Sequence, residues 1–236
     1  SIRIKTPYCG VVFFSIWQNV IDNSAKLPDY KLLISRIFDV YIDTLKASGN
    51  TMSATPIKIL GLSGSYGLTS KNGLLLSAAL DECQKLGAEV HIWDLVEKPL
   101  PLVGAEGSWQ DANVKEFQAL ATECDGYILT SPEYHGTMSG VMKNTLDWVY
   151  KDHVGGKAFG LMSTLGGISN SNTLNHMRIA VRWIHGWCVP EQVAVGKVKE
   201  AFDEDNNLTD TDVAERVVGL AQSVVSAAIM LRDNRE

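Results

Sequence analysis

The sequence contains few cysteines and no excess of positive charge. Its four cysteines are widely separated, and no two of them form a Cys-x-x-Cys pair, so neither a zinc site nor a redox dithiol is indicated and no metal is expected. Scattered cysteines are typical of a reducing compartment, and we expect a cytoplasmic protein. The net charge of -6 gives no general attraction to nucleic acid or to an anionic membrane. We expect neither as a partner.

Long apolar segments are equally scarce towards the N-terminus. The apolar run at residues 11–17 is far shorter than the ~20 residues that span a bilayer. The first 51 residues contain no methionine, and Met52 then leads directly into a strand pattern. We therefore predict an N-terminal extension over residues 1–51 and one folded domain over residues 52–236. A chain of 236 residues with 45% hydrophobic content has enough apolar surface for one such core.

From residue 56 onward, short apolar runs alternate with longer amphipathic stretches, which predicts repeated βα units and a parallel sheet. The predicted strands are residues 57–63, 89–95, 126–131, 157–164 and 189–195. The predicted helices are residues 70–86, 111–123, 139–151, 171–187 and 209–232. The last helix carries an apolar stripe that would pack on a sheet face.

Five strands that alternate with five helices fold most economically as a doubly wound five-stranded parallel sheet of order 2-1-3-4-5, with helices on both faces. A truncated dinucleotide-binding sheet is the competing assignment. In the preferred order, strands 1, 3 and 4 are neighbours, and ligands bind beyond their carboxyl ends, where the strand order reverses. Three loops should therefore meet there: loop 1 (residues 64–72), loop 2 (residues 131–137) and loop 3 (residues 163–170).

Loop 1 is rich in hydroxyl and amide side chains and precedes a helix. Free N–H groups and the helix dipole favour a phosphate at such a position, to which Ser65, Ser70 and Asn72 could add hydrogen bonds. The plainer reading is that Ser70 caps the helix. Loop 1 matches neither G-x-x-x-x-G-K-[ST] nor G-x-G-x-x-G, so a P-loop and a dinucleotide fingerprint are not supported.

Loops 2 and 3 have features that suit a flat ligand. In loop 2, Pro132 stiffens the turn, and Tyr134 and His135 place two planar rings beside Gly136. In loop 3, polar residues surround a glycine pair that lets the backbone approach a ligand closely. Taken singly, each loop could be an ordinary turn. Together, after three neighbouring strands, they predict a binding site.

Residues 57–230, about three quarters of the chain, resemble a known family, the NADPH-dependent FMN reductases, a branch of the flavodoxin-like superfold that includes quinone, azo-dye and chromate reductases. The resemblance is strongest over residues 131–148. Ser-Pro-Glu-Tyr-His-Gly at 131–136 and the helix containing Lys-Asn-Thr-Leu-Asp at 143–147 look like the family's Pro-Glu-Tyr-(Asn/His) signature and its Leu-Lys-Asn-Ala-Leu-Asp helix. Loop 1 is similar to the family's phosphate loop, Gly-Ser-x-Arg-x-x-Ser-x-Asn, but Gly67 stands where arginine is usual. A bidentate phosphate contact is thereby lost, and weaker FMN binding is expected unless Lys71 or a partner subunit compensates.

The resemblance implies a flavodoxin-like domain that binds FMN, uses NADPH or NADH as co-substrate and reduces a small-molecule electron acceptor such as a quinone. It places the backbone of residues 133–135 along the flavin ring, with Gly166 and Gly167 approaching from loop 3. It also implies a homodimer or homotetramer. The candidate cofactor-binding residues are Ser65, Ser70, Asn72, Pro132, Glu133, Tyr134, His135, Gly136, Thr164, Gly166 and Gly167.

The chemistry in such an enzyme belongs mainly to the cofactor, so the residues need supply no nucleophile. His135 is the one candidate catalytic residue, as a hydrogen-bond donor or proton source, and a structural role in its loop is the alternative. Two other functions remain open at this point. One is an electron carrier, although the flavodoxin phosphate loop Thr-x-Thr-Gly-x-Thr is absent, and the other is a non-enzymatic flavin-binding module that engages a partner through residues 1–51.

Overall fold

Strands and helices alternate along the chain in the computed structural model, which describes residues 55–168 and 171–233. The strands are β1 (Lys58–Ser63), β2 (Glu89–Trp93), β3 (Gly126–Tyr134), β4 (Thr137–Met138), β5 (Ala158–Thr164) and β6 (Trp187–Val195). The helices are α1 (Lys71–Lys85), α2 (Ala112–Glu123), α3 (Gly140–Asp147), α4 (Lys151–Val154), α5 (Ser171–Trp183) and α6 (Thr211–Asp233). Short 3-10 helices lie at Ser108–Gln110 and Val198–Ala201.

The predicted N-terminal extension over residues 1–51 and the predicted start of the domain at residue 52 lie outside the described residues. Both therefore stay predictions. Ser169 and Asn170, the last two residues of loop 3, also lie outside them, as do residues 234–236.

The parallel strands have the order β2-β1-β3-β5-β6. Because β5 and β6 are the fourth and fifth strands of the prediction, the predicted order 2-1-3-4-5 is confirmed. The register is regular from β2 to β5 and shifts between β5 and β6, after Phe159. Opposite this shift, β6 contains Pro190, which has no N–H group to donate to a regular ladder.

Three element boundaries differ from the prediction by three residues or more, and the others differ by one or two residues at most. Strand β3 does not end at residue 131 but continues to Tyr134 and pairs antiparallel with β4, so most of the predicted loop 2 is a hairpin. The predicted helix 139–151 ends at Asp147, and α4 is separate. The predicted helix 171–187 ends at Trp183, because His185 has a left-handed backbone with φ 65° and the Gly186 N–H turns back to the Val181 carbonyl.

The sheet separates two apolar clusters, one on each face. One cluster contains buried residues of α1 and α6, such as Leu76 and Val224, and the other contains residues of α2, α3 and α5, such as Phe117, Met142 and Met177. Burial of both sheet faces is what a doubly wound fold requires. Helices thus cover both faces of the sheet. Loops cover the edge at which the central strands end.

Helix α6 is long and apolar enough to cross a membrane, by length and composition alone. Its predicted stripe instead belongs to the core, because Val213, Val217, Leu220 and Val224 are all buried in the first cluster. The remaining face is more exposed and carries Arg216 and Asp212, whose side chains lie 3.6 Å apart. The helix therefore has the distribution of a core helix in an α/β fold.

Candidate flavin site

The carboxyl ends of β1, β3 and β5 lie side by side, as the predicted strand order requires. Ser63 at the end of β1 is paired with Thr130 of β3. Ser131 and Pro132 of β3 are paired in turn with Ser163 and Thr164 of β5. Loops 1, 2 and 3 leave the sheet from these positions, so the structure brings the three predicted loops to one edge.

A single buried side chain, Asn72, connects the ends of all three strands. Its amide nitrogen donates hydrogen bonds to the Ser63 hydroxyl at 3.1 Å and to the Thr130 carbonyl at 2.8 Å. Its amide oxygen accepts a hydrogen bond from the Thr164 hydroxyl at 3.3 Å. Both amide hydrogens are used inside the protein, so the Asn72 side chain holds the loops in register and has no amide hydrogen left for a ligand.

Loops 1 and 2 are also joined by serine hydroxyls. The Ser139 hydroxyl donates to the Gly64 carbonyl at 2.6 Å and accepts from the Met142 N–H as the N-cap of α3. The Ser131 hydroxyl accepts from the Ser139 N–H at 3.0 Å. A Cβ at Gly64 would lie 2.9 Å from both hydroxyl oxygens, so this close approach requires glycine.

Loop 1 presents a group of free donors at the start of α1. Within the described residues, no acceptor faces the backbone N–H groups of Tyr66, Gly67, Leu68, Thr69, Lys71 and Asn72. The Ser70 hydroxyl accepts from the Gly73 N–H at 3.1 Å, as an N-cap does, yet its own hydrogen stays available. The Ser65 hydroxyl makes no hydrogen bond inside the described part of the chain. Loop 1 therefore offers both backbone and hydroxyl donors to an anion.

The tip of loop 2 is a two-residue hairpin turn formed by His135 and Gly136. Their φ angles are 52° and 78°, the pair of positive values that defines a type I′ turn between β3 and β4. Glycine adopts this conformation freely, and histidine is one of the few other residues enriched in it. His135 thus has a structural reason to occupy the tip, where it is exposed.

The side chains of loop 2 differ in their contacts and in their exposure. The Glu133 carboxylate accepts from the Thr173 N–H and from the Thr173 hydroxyl, both at 3.1 Å, and so caps the first turn of α5. Tyr134 is 59% exposed and free to cover a ligand. Pro132 is buried inside β3, where it stiffens the base of the hairpin rather than a loop.

Loop 3 is attached to β6. The Leu165 N–H donates to the Val195 carbonyl and the Val198 N–H donates to the Leu165 carbonyl, both at 3.0 Å. The Lys197 N–H donates to the Gly167 carbonyl. Gly166 and Gly167 are exposed, and no atom lies within 4 Å of a Cβ built on Gly166. These glycines leave open space above β5, whereas Thr164 is buried below it.

A family model described as NADPH-dependent FMN reductase matches residues 57–200. An NADPH-dependent FMN reductase, ArsH, of Rhizobium meliloti is 31% identical over 75% of this chain and 74% of its own. The chain belongs to the NADPH-dependent FMN reductase family. An FMN-dependent NADPH-azoreductase of Staphylococcus aureus is 32% identical over 72% of this chain and 94% of its own.

A flavoenzyme NAD(P)H:(acceptor) oxidoreductase of Paracoccus denitrificans has the same fold. Its solved structure has a TM-score of 0.59 and 21% identity, and the match covers 73% of this chain and 97% of that one. This FMN reductase is accordingly an FMN-dependent NAD(P)H oxidoreductase with a flavodoxin-like fold, FMN as cofactor and NAD(P)H as co-substrate.

The residues of this FMN reductase fit the phosphate of FMN, because loop 1 holds six N–H donors at a helix start that have no acceptor among residues 55–168 and 171–233. The departure at Gly67 has no steric cause. A Cβ built there meets no atom closer than the Thr69 hydroxyl oxygen at 3.9 Å, so an arginine side chain would have room to leave the loop. The fold would therefore accept an arginine at position 67, and only the sequence lacks it.

The sequence prediction missed several residues that shape the site. Ser63, Thr130, Ser131 and Ser139 hold loops 1 and 2 together, as the contacts above show, but each is an ordinary strand end or helix cap in the sequence. Another missed residue, Asn144 on α3, donates to the Pro101 carbonyl at 3.0 Å and accepts from the Val103 N–H at 3.2 Å. It fixes the loop that follows β2. Its place in the Lys-Asn-Thr-Leu-Asp motif at 143–147 was the available signal.

The described cysteines of this FMN reductase supply no reactive thiolate. Burial raises the pKa of the Cys83 and Cys124 thiols to about 12 and that of Cys188 to about 11, so all three stay protonated at neutral pH. Within residues 55–168 and 171–233, no group of three or more histidine, cysteine or acidic side chains is placed to hold a metal.

Proposed function

We propose that this chain holds FMN across loops 1, 2 and 3 and transfers reducing equivalents from NADPH or NADH to a quinone-like, azo or other small electron acceptor. The observation that carries the proposal is the convergence of the three loops at one sheet edge, with six free N–H groups in loop 1. The S. aureus relative is an azoreductase by name, which supports azo compounds as candidate acceptors.

FMN held there would supply the chemistry of hydride transfer from the nicotinamide and of electron transfer to the acceptor. In the proposed site, loop 1 donates hydrogen bonds to the phosphate through its N–H groups and through the hydroxyls of Ser65 and Ser70. The N–H groups of His135 and Gly136 at the hairpin tip, and those of Gly166 and Gly167, are free donors within the described residues and line the ring. Tyr134 covers an edge and keeps water away.

The proposal is tested by an absorbance spectrum of the purified full-length protein with FMN, before and after addition of NADPH under anaerobic conditions. We expect flavin absorbance to bleach without any partner reductase and to return when a quinone or azo dye is added in excess, over many turnovers. Bleaching only in the presence of a separate reductase would favour an electron carrier. Absence of flavin uptake would contradict the proposal.

The role of His135 is tested by His135→Asn. Asparagine also tolerates the left-handed conformation, so the hairpin is kept while the imidazole is removed. We propose that the role is structural, and we expect the turnover number with NADPH and a quinone to change by less than about threefold at every pH. A loss of about tenfold or more, with a changed pH profile, would make His135 a proton donor.

We further propose that the chain forms a homodimer or homotetramer. An apolar groove of about 660 Å³ lies between α3 and α5, and Ile179 and Trp183 beside it are 60% and 73% exposed. Contiguous apolar surface of this kind marks interfaces. Its lining begins at Thr137 and Met138 of the hairpin, so a second copy seated there would border the flavin site.

Light scattering coupled to size exclusion tests this assembly. Trp183→Glu is expected to yield monomers, whereas Leu102→Glu, a control at another apolar residue that is 71% exposed, should leave the assembly intact. A monomeric wild type would contradict the proposal.

We also propose a cytoplasmic location, which agrees with three described cysteines that form no disulfide and is tested by cell fractionation.

A further inference from the structure

The only cationic side chain of loop 1 is turned towards another part of the protein. The Lys71 ammonium donates to the Asn206 side-chain oxygen at 2.7 Å and lies 4.9 Å from the centre of the Phe202 ring. The pKa of Asp203 is lowered, chiefly by hydrogen bonds from Asn207 and in smaller part by the charge of Lys71. Lys71 therefore fastens the turn at residues 202–208.

The surroundings of loop 1 are acidic rather than basic. The turn that holds Lys71 carries Asp203, Glu204 and Asp205, all of them exposed, and the whole chain has a net charge of -6. An approaching phosphate dianion is therefore repelled at long range. What attracts it at short range is the group of free N–H donors and hydroxyls at the start of α1, a helix with no acidic residue in its first turn.

On the basis of the proposed function, we infer that the described residues of this chain bind the FMN phosphate with neutral donors alone, and that Lys71 is a brace for the 202–208 turn rather than a phosphate ligand. The N–H groups of residues 66–69, 71 and 72 and the hydroxyls of Ser65, Thr69 and Ser70 are sufficient in number to satisfy three phosphate oxygens. The site resembles a dipolar nest more than an ion pair.

The sign of the salt dependence distinguishes a neutral cradle from a cationic one. Salt screens an ion pair and so weakens FMN binding at a cationic site. If there is no ion pair, salt screens only the repulsion between the phosphate and the acidic protein, and FMN binding is not weakened. FMN affinity should consequently stay level or rise between about 20 mM and about 500 mM salt, over which the Debye length falls from about 20 Å to about 4 Å. Riboflavin, which lacks the phosphate, should respond little.

The experiment titrates the full-length chain, freed of flavin, with FMN and with riboflavin at both salt concentrations, by quenching of flavin fluorescence. Lys71→Met tests the lysine. Lys85→Met is its matched control, because Lys85 lies in the last turn of the same helix and pairs with Glu82 at 2.6 Å. Lys71→Gln retains a donor for Asn206 and repeats the test if methionine disturbs the turn.

We expect the FMN affinities of Lys71→Met, Lys71→Gln and Lys85→Met to agree within about threefold, with the wild-type sign of salt dependence in each. The inference is overturned if wild-type FMN affinity falls about tenfold or more with salt, or if both Lys71 variants, but not Lys85→Met, bind FMN about tenfold or more weakly than the wild type. If neither flavin binds to any variant, the proposed function itself fails, which is a separate result.

Discussion

Loops 1 and 2 are joined to each other by several buried side chains. Loop 3 meets them through the buried hydrogen bond from Thr164 to Asn72, and beyond Thr164 it is joined to β6 by backbone hydrogen bonds and is exposed at Gly166 and Gly167. The first arrangement fixes the phosphate end of the proposed flavin site before any ligand arrives. The second leaves room beside the ring. Preformed donors bind an anion without a cost of ordering the loop, while an open glycine loop lets a flat ligand and its substrates approach the backbone.

The largest expected effect is at Asn72, the residue on which the ordered arrangement depends. Asn72→Ala removes three buried hydrogen bonds, those that join its amide to the Ser63 hydroxyl, the Thr130 carbonyl and the Thr164 hydroxyl. We expect a loss of about 3 kcal/mol in the free energy of unfolding, measured by urea denaturation, because a buried hydrogen bond contributes roughly 1 kcal/mol on average.

Asn113→Ala is the control for Asn72→Ala. The Asn113 amide donates to the Pro99 carbonyl at 3.0 Å in an exposed setting, so its removal should cost less than about 1 kcal/mol. Equal losses for the two variants would show that burial of the Asn72 network contributes nothing.

A second, smaller effect is expected where loop 1 meets loop 2. Ser139→Ala removes the N-cap of α3 and the hydrogen bond to Gly64, and we expect a loss of about 1–2 kcal/mol in the free energy of unfolding. Ser108→Ala is the control, since the Ser108 hydroxyl is buried without a hydrogen-bond partner in the described part of the chain and its loss should be nearly neutral. If Ser139→Ala is as mild as the control, the two loops are not held together by this serine.

The sequence predicted the order of the sheet because hydrophobic period and short crossovers restrict the topology strongly. It also placed the three loops correctly at one edge. It could not show that Asn72 faces inwards, since an asparagine in the first turn of a helix can point to ligand or to core. That choice depends on partners such as Thr164, which lies 92 residues further along the chain.

The hairpin at loop 2 was missed for a different reason. Pro132 stands inside the extended part of β3, and proline is usually taken as the end of a strand. Strand β3 can accommodate it because the chain continues beyond the body of the sheet and pairs with β4 at Glu133 and Tyr134. The pair His135-Gly136 was nevertheless a usable signal, since residues that tolerate positive φ, followed by glycine, favour type I′ hairpin turns.

Substitutions of two glycines, one in loop 2 and one in loop 3, test the difference between these loops. Gly136→Ala places a Cβ at a residue with φ 78°, and the left-handed conformation costs non-glycine residues about 1–2 kcal/mol. We expect a loss of about 1 kcal/mol in the free energy of unfolding, measured by urea denaturation. No loss would mean that the hairpin relaxes to another turn, which a changed pattern of amide exchange at residues 134–137 would report.

The smallest effect on stability is expected at Gly166 in loop 3. Its backbone does not have a positive φ, and a Cβ there would have no atom within 4 Å, so Gly166→Ala should change the free energy of unfolding by less than about 0.5 kcal/mol. A methyl group would nevertheless occupy the space proposed for the flavin ring, and we expect FMN to bind several-fold more weakly by fluorescence titration. Gly219→Ala on α6, where a Cβ also meets nothing within 4 Å, is the control for affinity. Unchanged FMN binding in Gly166→Ala, with Gly136→Ala weakened, would place the ring against the hairpin alone and remove loop 3 from the site.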